Sequence, residues 1–193
     1  YMDVYCRGNS EERTVSLTFD DGPDELITPR ILDILEKHSI EATFFVIGGK
    51  ADKNGALLKD LVSKGHNLGN HSYSHAFWFD LWSRKKMEQD LIRTEEIILR
   101  ETGIKTEYFR PPYGVTTPIL AKVARKLGYR AVGWSVRSLD TVITDKEKLI
   151  GRGVERLHPG AVILLHDDRK ITSEILDELI MRIKKEGYGF RKI

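Results

Sequence analysis

"SLTFDDGPD", residues 16–24, sets Asp20 beside Asp21 where an apolar run gives way to a Gly-Pro turn. Two like charges about 5 Å apart repel by roughly 3 kcal/mol at an effective dielectric near 20. Asp, Gly and Pro are ordinary turn residues, so a solvated turn accounts for the pair. A cation held between the carboxylates also accounts for it. The first reading asks nothing of the rest of the chain, whereas the second asks for more ligands.

The run before the doublet, "TVSLTF" (14–19), reads as a strand, and "TPRILDILEKH" (28–38) as a helix with Thr28 as cap and Pro29 at its first position. The same rhythm continues to the end of the chain. Strands are predicted at 42–48, 66–71, 107–110, 129–136, 161–167 and 188–193, and helices at 55–65, 83–103, 117–128, 145–158 and 172–187. Ser83 and Thr117 stand at helix starts, and Gly65 closes one helix end. Strands alternating with helices imply a parallel sheet covered by helices. The count is too short for an eight-fold barrel. An open doubly wound sheet or an incomplete (β/α)7-type barrel remains, and both gather their chemistry at the carboxyl ends of the strands.

Composition sets wider bounds. A length of 193 residues suits one domain spanning 1–193. The 31 Lys and Arg against 29 Asp and Glu leave a net charge of +2, which gives no reason to expect nucleic acid or an anionic membrane as partner. The basic "RIKKEGYGFRKI" (182–193) reads as a solvated last helix and strand. No apolar run approaches the ~20 residues that span a bilayer, and no signal peptide is present. The chain begins at Tyr1 rather than Met, so removal of an upstream signal or anchor is expected. Cys6 is the sole cysteine, which excludes an internal disulfide and a Cys-rich zinc site; it reads as an inert thiol. "VIGGKA" (46–51) lacks the first Gly and the Ser/Thr of a phosphate loop.

Polar clusters follow five of the strands: Asp20-Asp21, "NHSYSH" (70–75), "RPPYG" (110–114), "WSVRSLD" (134–140) and "HDD" (166–168). In a parallel sheet all five converge on one face. His71 and His75 are four residues apart, which puts two imidazoles on one side of a helical turn, although two surface histidines in a polar loop would leave the same trace. With a carboxylate they make an open N,N,O set, suited to a catalytic divalent metal that keeps water at its vacant positions. Successive residues of an extended segment point opposite ways. Asp21 can then ligate the metal while Asp20 takes a proton from bound water, as in hydrolysis of a carbonyl compound.

These five motifs, in this order between residues 17 and 167, resemble those of the NodB-type polysaccharide deacetylases (carbohydrate esterase family 4). The resemblance implies an incomplete (β/α) barrel and hydrolytic removal of N-acetyl, sometimes O-acetyl, groups from polysaccharides. It implies Asp20 as general base, Asp21, His71 and His75 as ligands of zinc or of cobalt, nickel or manganese, and Arg110 as the residue that orients the base. It further implies the backbone N–H of Tyr113 as oxyanion donor, Leu164 in the acetyl pocket with Pro112 bordering the substrate, and His166, paired with Asp140, as general acid. The residues alone leave blander roles open: Arg110 as a surface strand-end arginine, His166 as a polar loop residue, Trp134 as core or pocket wall. Asp167 and Asp168 have no second histidine pair and read as a loop or helix start.

Two positions depart from the family pattern. Arg137 stands where an additional Asp is common, and Thr141 where a Trp follows the second Asp. The reading that follows is a metal-dependent hydrolase deacetylating an N-acetylglucosamine-containing polymer such as peptidoglycan, a chitin-like chain or an exopolysaccharide. An acetyl-xylan esterase would use the same machinery, a metal-free hydrolase of cyclic amides would not keep every ligand, and an inactive carbohydrate-binding module would not keep Asp20 and both histidines. An extracytoplasmic or envelope location and a monomeric state are expected.

Overall fold

In the computed structural model, which describes residues 2–193, the first predicted strand is the hub of the sheet. This strand, β2 (Thr14–Asp20), is buried along almost its whole length. Its alternation explains why. Val15, Leu17 and Phe19 pack into the main apolar core, while Thr18 and Asp20 turn to the other face and meet a buried arginine. β2 pairs in parallel with β3 (Thr43–Val46) and, over six residues, with β8 (Ala161–His166). Its first residues, Thr14 and Val15, also pair with β9 (Gly189–Phe190).

From β3 the sheet runs outward through β4 (Asn67–Asn70), β5 (Tyr108–Phe109) and β6 (Arg130–Val132) to β1 (Val4–Tyr5); from β8 it ends at β7 (Val136–Arg137). Every ladder is parallel, and among the described residues β1 and β7 are not paired to each other. The protein is therefore an incomplete (β/α) barrel. Around it lie α1 (Ile27–His38), the short α2 (Gly48–Ala51), α3 (Gly55–Ser63), α4 (Arg84–Thr102), α5 (Pro118–Leu127), α6 (Lys146–Glu155) and α7 (Lys170–Lys185). The helical stripes Ile31, Leu32, Leu35 of α1 and Ile175, Leu176, Leu179, Ile180, Ile183 of α7 bury against β2 and β8. A second cluster, Met87, Leu91, Phe109, Leu120 and Val123, seats α4 and α5. No described helix is long and apolar enough to cross a membrane.

The structure departs from the sequence expectations in three places that matter for the site. The strand predicted at 129–136 is two strands, β6 and β7, with different neighbours. Between them the Gly133 carbonyl leaves the ladder to accept the Arg110 guanidinium (2.7 Å), and Ser135 N–H rejoins at Val162 O (3.0 Å). The strand break thus carries the chain from β6, next to the end strand β1, across to the other end strand, β7. His71 and His75 do not share a helical turn: His71 follows β4 directly, and the loop after it reverses through Ser72 (φ 64°) and His75 (φ 46°).

The third departure concerns the α1 cap. The helix starts at Ile27, and Asp24 Oδ1 accepts the backbone N–H of Leu26 and Ile27, both at 2.9 Å. Asp24 is nearer the turn and takes the capping role from Thr28. The Thr28 hydroxyl instead accepts Asp24 N–H (2.8 Å) and donates to Asp167 Oδ2 (2.7 Å). Asp167 in turn fills the space over Gly22, where an added Cβ would lie 2.0 Å from its Oδ2. Because that carboxylate is fully enclosed, it cannot swing away. Gly22→Ala is expected to cost about 1–3 kcal/mol of overpacking strain, read as a lowered Tm, and to displace the Asp20-Asp21 turn, read as weaker divalent-metal binding by calorimetry.

Candidate active site

The polar clusters do converge. Asp20 ends β2, His71 follows β4, Arg110 follows β5, and His166 ends β8, so parallel strands deliver all four to one rim. Asp20, His71 and His166 line a cleft of about 260 Å³ together with Asp21, His75, Tyr113, Trp134 and Leu164, and Arg110 lies buried behind Asp20. A larger hollow, about 750 Å³, opens around Thr14, Gly160 and Phe190 at the opposite strand ends. Among the described residues, the one grouping of donors able to hold a metal lies in the smaller cleft.

That grouping is Asp21, His71 and His75, whose ligand atoms all lie within 4.8 Å of one another. Asp21 takes φ 72°, a left-handed conformation that Asp tolerates better than most residues. It turns Oδ1 to 3.3 Å from His75 Nε2 and 3.5 Å from His71 Nε2. His71 Nδ1–H donates to Arg110 O (2.8 Å), which fixes the tautomer and leaves Nε2 facing Asp21. The loop is held by Asn70, whose Oδ1 accepts Ser72 N–H (2.9 Å) and whose amide donates to Leu91 O (2.8 Å); His75 N–H donates to Ser72 Oγ (3.0 Å). Asp21 Oδ1 is buried and has no hydrogen-bond partner. Such an orphan acceptor costs about 1–3 kcal/mol, and a divalent cation between it and the two imidazoles would supply the missing partner. The donor set fits such an ion.

Electrostatics agree with that fit. Burial works against the charge on Asp21, but His71, His75 and His166 outweigh it and hold the carboxyl well below the usual carboxylate range. Burial and the nearby His71 bring His75 down to about 4, so its imidazole is neutral with a free lone pair at neutral pH. Burial also opposes charge on His71, yet Asp20 and Asp21 raise it; proton and metal then compete for the same nitrogen.

Asp20 has a separate environment. Its Oδ1 accepts Arg110 Nη1–H at 2.7 Å, while Oδ2 stands 3.8 Å from His71 Nε2. Arg110 has no solvent exposure and spends three further donors on Thr18 Oγ1 (2.9 Å), Val132 O (3.2 Å) and Gly133 O (2.7 Å), with the Phe45 ring 4.1 Å beneath it. Across the cleft His166 Nδ1–H donates to Asp140 Oδ1 (2.7 Å), and His166 N–H to Asp140 Oδ2 (2.8 Å). Ser138 Oγ–H (2.9 Å) and Thr172 Oγ1–H (2.7 Å) complete the shell around that carboxylate. Burial disfavours both charges, but each partner overrides it: Asp140 is shifted down and His166 up.

The other sequence candidates are placed as follows. Tyr113 holds φ 57° at the cleft edge, its ring 4.7 Å from that of His75. Trp134 and Leu164 form walls; Gly114 (φ 70°) sits so close to the indole that a Cβ would lie 2.4 Å from it. Pro112 is buried and does not line the cleft; Pro111 does. Arg137 and Thr141 lie at the mouth, joined by Arg169, which sequence reasoning did not single out. Thr18, Ser138 and Thr172 were also missed. Thr18 was legible as the inward neighbour of Asp20 on one strand, and Ser138 as a short polar turn before Asp140. Thr172 is 32 residues from Asp140 and left no local trace.

Comparison with known proteins places this geometry. The chain matches the family profile described as polysaccharide deacetylase over residues 7–132. The peptidoglycan-N-acetylmuramic acid deacetylase PdaA of Bacillus subtilis is 36% identical over 197 residues, covering 99% of this chain and 74% of PdaA. The solved structure of the Bc1960 peptidoglycan N-acetylglucosamine deacetylase superposes with a TM-score of 0.93 at 32% identity, covering 98% of this chain and 90% of that one. A family 4 carbohydrate esterase pseudoenzyme from Bacillus anthracis superposes with a TM-score of 0.91 at 30% identity, covering 100% of this chain and 68% of that one. The chain belongs to the polysaccharide deacetylase family, hydrolases of acetylated polysaccharides.

The two neighbouring carboxylates are expected to separate under mutation. Asp21→Asn should lower metal affinity in titration calorimetry, with partial recovery of activity in excess metal. Asp20→Asn should bind metal normally and lose on the order of 10²–10⁴ in kcat without rescue. Equal loss of metal in both variants would show two ligands rather than a ligand and a base.

Proposed function

We propose that the chain is a metal-dependent deacetylase that hydrolyses the acetamido group of peptidoglycan sugars. The observation that carries this is the orphaned Asp21 Oδ1 facing two imidazoles, with Arg110-bound Asp20 on one side and Asp140-bound His166 on the other. A divalent ion bound there, zinc first and cobalt, nickel or manganese as alternatives, would polarise the acetyl carbonyl and bring the pKa of coordinated water toward about 7. Asp20 then accepts a proton from the attacking water; Arg110 keeps that carboxylate ionised and aimed. The backbone N–H of Tyr113 is assigned to the developing oxyanion, and Leu164 and Trp134 to the walls around the acetyl methyl. His166, kept protonated by Asp140, donates to the departing nitrogen. All these groups come from one chain, so a monomer suffices, and a peptidoglycan substrate would place the protein outside the cytoplasmic membrane.

The similar proteins act on different peptidoglycan sugars, N-acetylmuramic acid for PdaA and N-acetylglucosamine for Bc1960. Arg137 bears on that choice. Its side chain is exposed at the cleft mouth and takes part in none of the ion pairs among the described residues; only its carbonyl is engaged, by Arg152 Nε–H (3.0 Å). A guanidinium there suits the lactyl carboxylate of N-acetylmuramic acid. The B. anthracis pseudoenzyme supports a second reading, a glycan-binding protein without turnover, which the presence of Asp20, Asp21, His71 and His75 disfavours.

Acetate release from peptidoglycan, from N-acetylglucosamine oligomers and from acetylated xylan tests these readings together. Release from the amide substrates is expected, abolished by a chelator and restored by Zn²⁺ or Co²⁺; release from xylan alone would favour the esterase, and none from any substrate the binding protein. Arg137→Ala should raise KM on muramic-acid-containing glycan and leave metal content unchanged. The pH profile supplies a further test. His166 works protonated and its folded pKa is raised, so activity should fall as pH climbs through that raised value. Asp140→Asn removes the partner that raises it, and the basic limb of kcat should move to lower pH.

A further inference from the structure

The cleft wall does not stop at Tyr113. Phe77 and Trp78 stand 66% and 62% exposed beside it, and Tyr113 itself is 52% exposed. Phe77 meets Tyr113 edge to face, with centroids 5.7 Å apart at 69°, and meets Trp78 the same way at 4.7 Å and 82°. With Tyr113 4.7 Å from the His75 ring, an unbroken line of aromatic rings leads from a metal-ligand position out to solvent.

This exposure is built by the loop. Phe79 is buried with Met87, Leu91 and Phe109 and anchors the segment in the second core cluster. Backbone bonds from Phe79 N–H to Ala76 O (3.0 Å) and Leu81 N–H to Trp78 O (3.1 Å) fold the chain tightly around that anchor. Rings as large as Phe77 and Trp78 carry much apolar surface, and a contiguous exposed group of them at the rim of a cleft marks a binding surface.

We propose that Phe77 and Trp78, continuous with Tyr113, form a stacking platform for a pyranose ring of the same glycan strand, beyond the sugar being deacetylated. The inference rests on the deacetylase reading and names where the substrate continues. A hexosamine in the cleft has neighbours linked on either side, and the platform begins where the cleft ends. The C–H face of a pyranose is apolar and nearly flat, with hydroxyls around its edge, so it covers an aromatic face and leaves its polar groups in water. The stepped rings, separated by 4.7 and 5.7 Å, offer separate faces along the strand.

The test compares wild type, Phe77→Ala, Trp78→Ala, the double variant and the conservative Trp78→Phe on N-acetylglucosamine oligomers from dimer to hexamer. For the double variant, KM on the hexamer is expected to rise about tenfold, with kcat and the dimer KM unchanged; Trp78→Phe should recover most of the loss. An unchanged hexamer KM, or an equal rise for dimer and hexamer, would overturn the proposal. Hexamer binding followed by tryptophan fluorescence and calorimetry separates this from failure of the deacetylase reading. If no protein releases acetate, the platform stands where wild type binds hexamer and the double variant does not, and falls where the two bind alike. Sedimentation with phosphatidylglycerol vesicles adds a last arm. Vesicle binding lost in the double variant, with hexamer binding intact, would make the patch a membrane face and overturn the proposal.

Discussion

Arg110 is the residue around which the cleft is assembled. A guanidinium without solvent contact is tolerable only when its donors are satisfied, and breaking such a pair by removing one partner costs about 3–5 kcal/mol. Here the donors reach Thr18 and Asp20 on β2 and the carbonyls of Val132 and Gly133 at the end of β6, while the Arg110 carbonyl holds His71 after β4. One side chain and its own peptide thereby fix the direction of Asp20, the tautomer of His71, and the point where β6 ends. The Phe45 ring below excludes water from that knot, which strengthens each of its electrostatic contacts.

The break between β6 and β7 follows from the same demand. Were residues 129–136 a continuous strand, Gly133 O would lie in a ladder and Arg110 would lose an acceptor. By breaking after Val132 the chain supplies that acceptor and swings Trp134 into the cleft wall. It then resumes at Val136 beside β8, which carries Asp140 to His166. Continuity of one strand is given up for a cleft wall that carries Trp134 after β6 and Arg137 on β7.

Much of this was readable in the chain and some was not, for physical reasons. Strand-then-helix alternation is a local signal of period and punctuation, so the parallel architecture and the convergence of five clusters on one rim were legible. That the Asp20 and Asp21 side chains point to different partners was legible too, although the structure separates them through a left-handed Asp21 rather than through strand alternation. The break at Gly133 was hidden because "YRAVGWSV" has continuous strand character, and only a partner distant in sequence draws its carbonyl away. The His71–His75 spacing suggested a helical turn, yet the loop reaches the same convergence through two left-handed residues. The capping of α1 went to Asp24 because Asp167 claims the Thr28 hydroxyl, a contact across 139 residues.

That contact also explains the second acidic doublet, Asp167-Asp168, which looks in sequence like a copy of the first. Asp20 faces Arg110, Asp21 faces His71 and His75, and Asp140 faces His166, each a cationic or protonatable partner. Asp167 has none within reach of a hydrogen bond. Burial pushes its pKa up to about 7, against the pull of the Thr28 hydroxyl. A carboxyl that is about half protonated near pH 7 can pack directly over Gly22, behind the turn that bears Asp21, without adding a further full negative charge to the site. Asp168 lies further out and pairs with Lys50 (3.0 Å) and Arg169 (3.1 Å). In the proposed mechanism the same residue type therefore supplies a base, a ligand, an orienting partner and a packing group around one cleft, and the groups facing each carboxyl decide which.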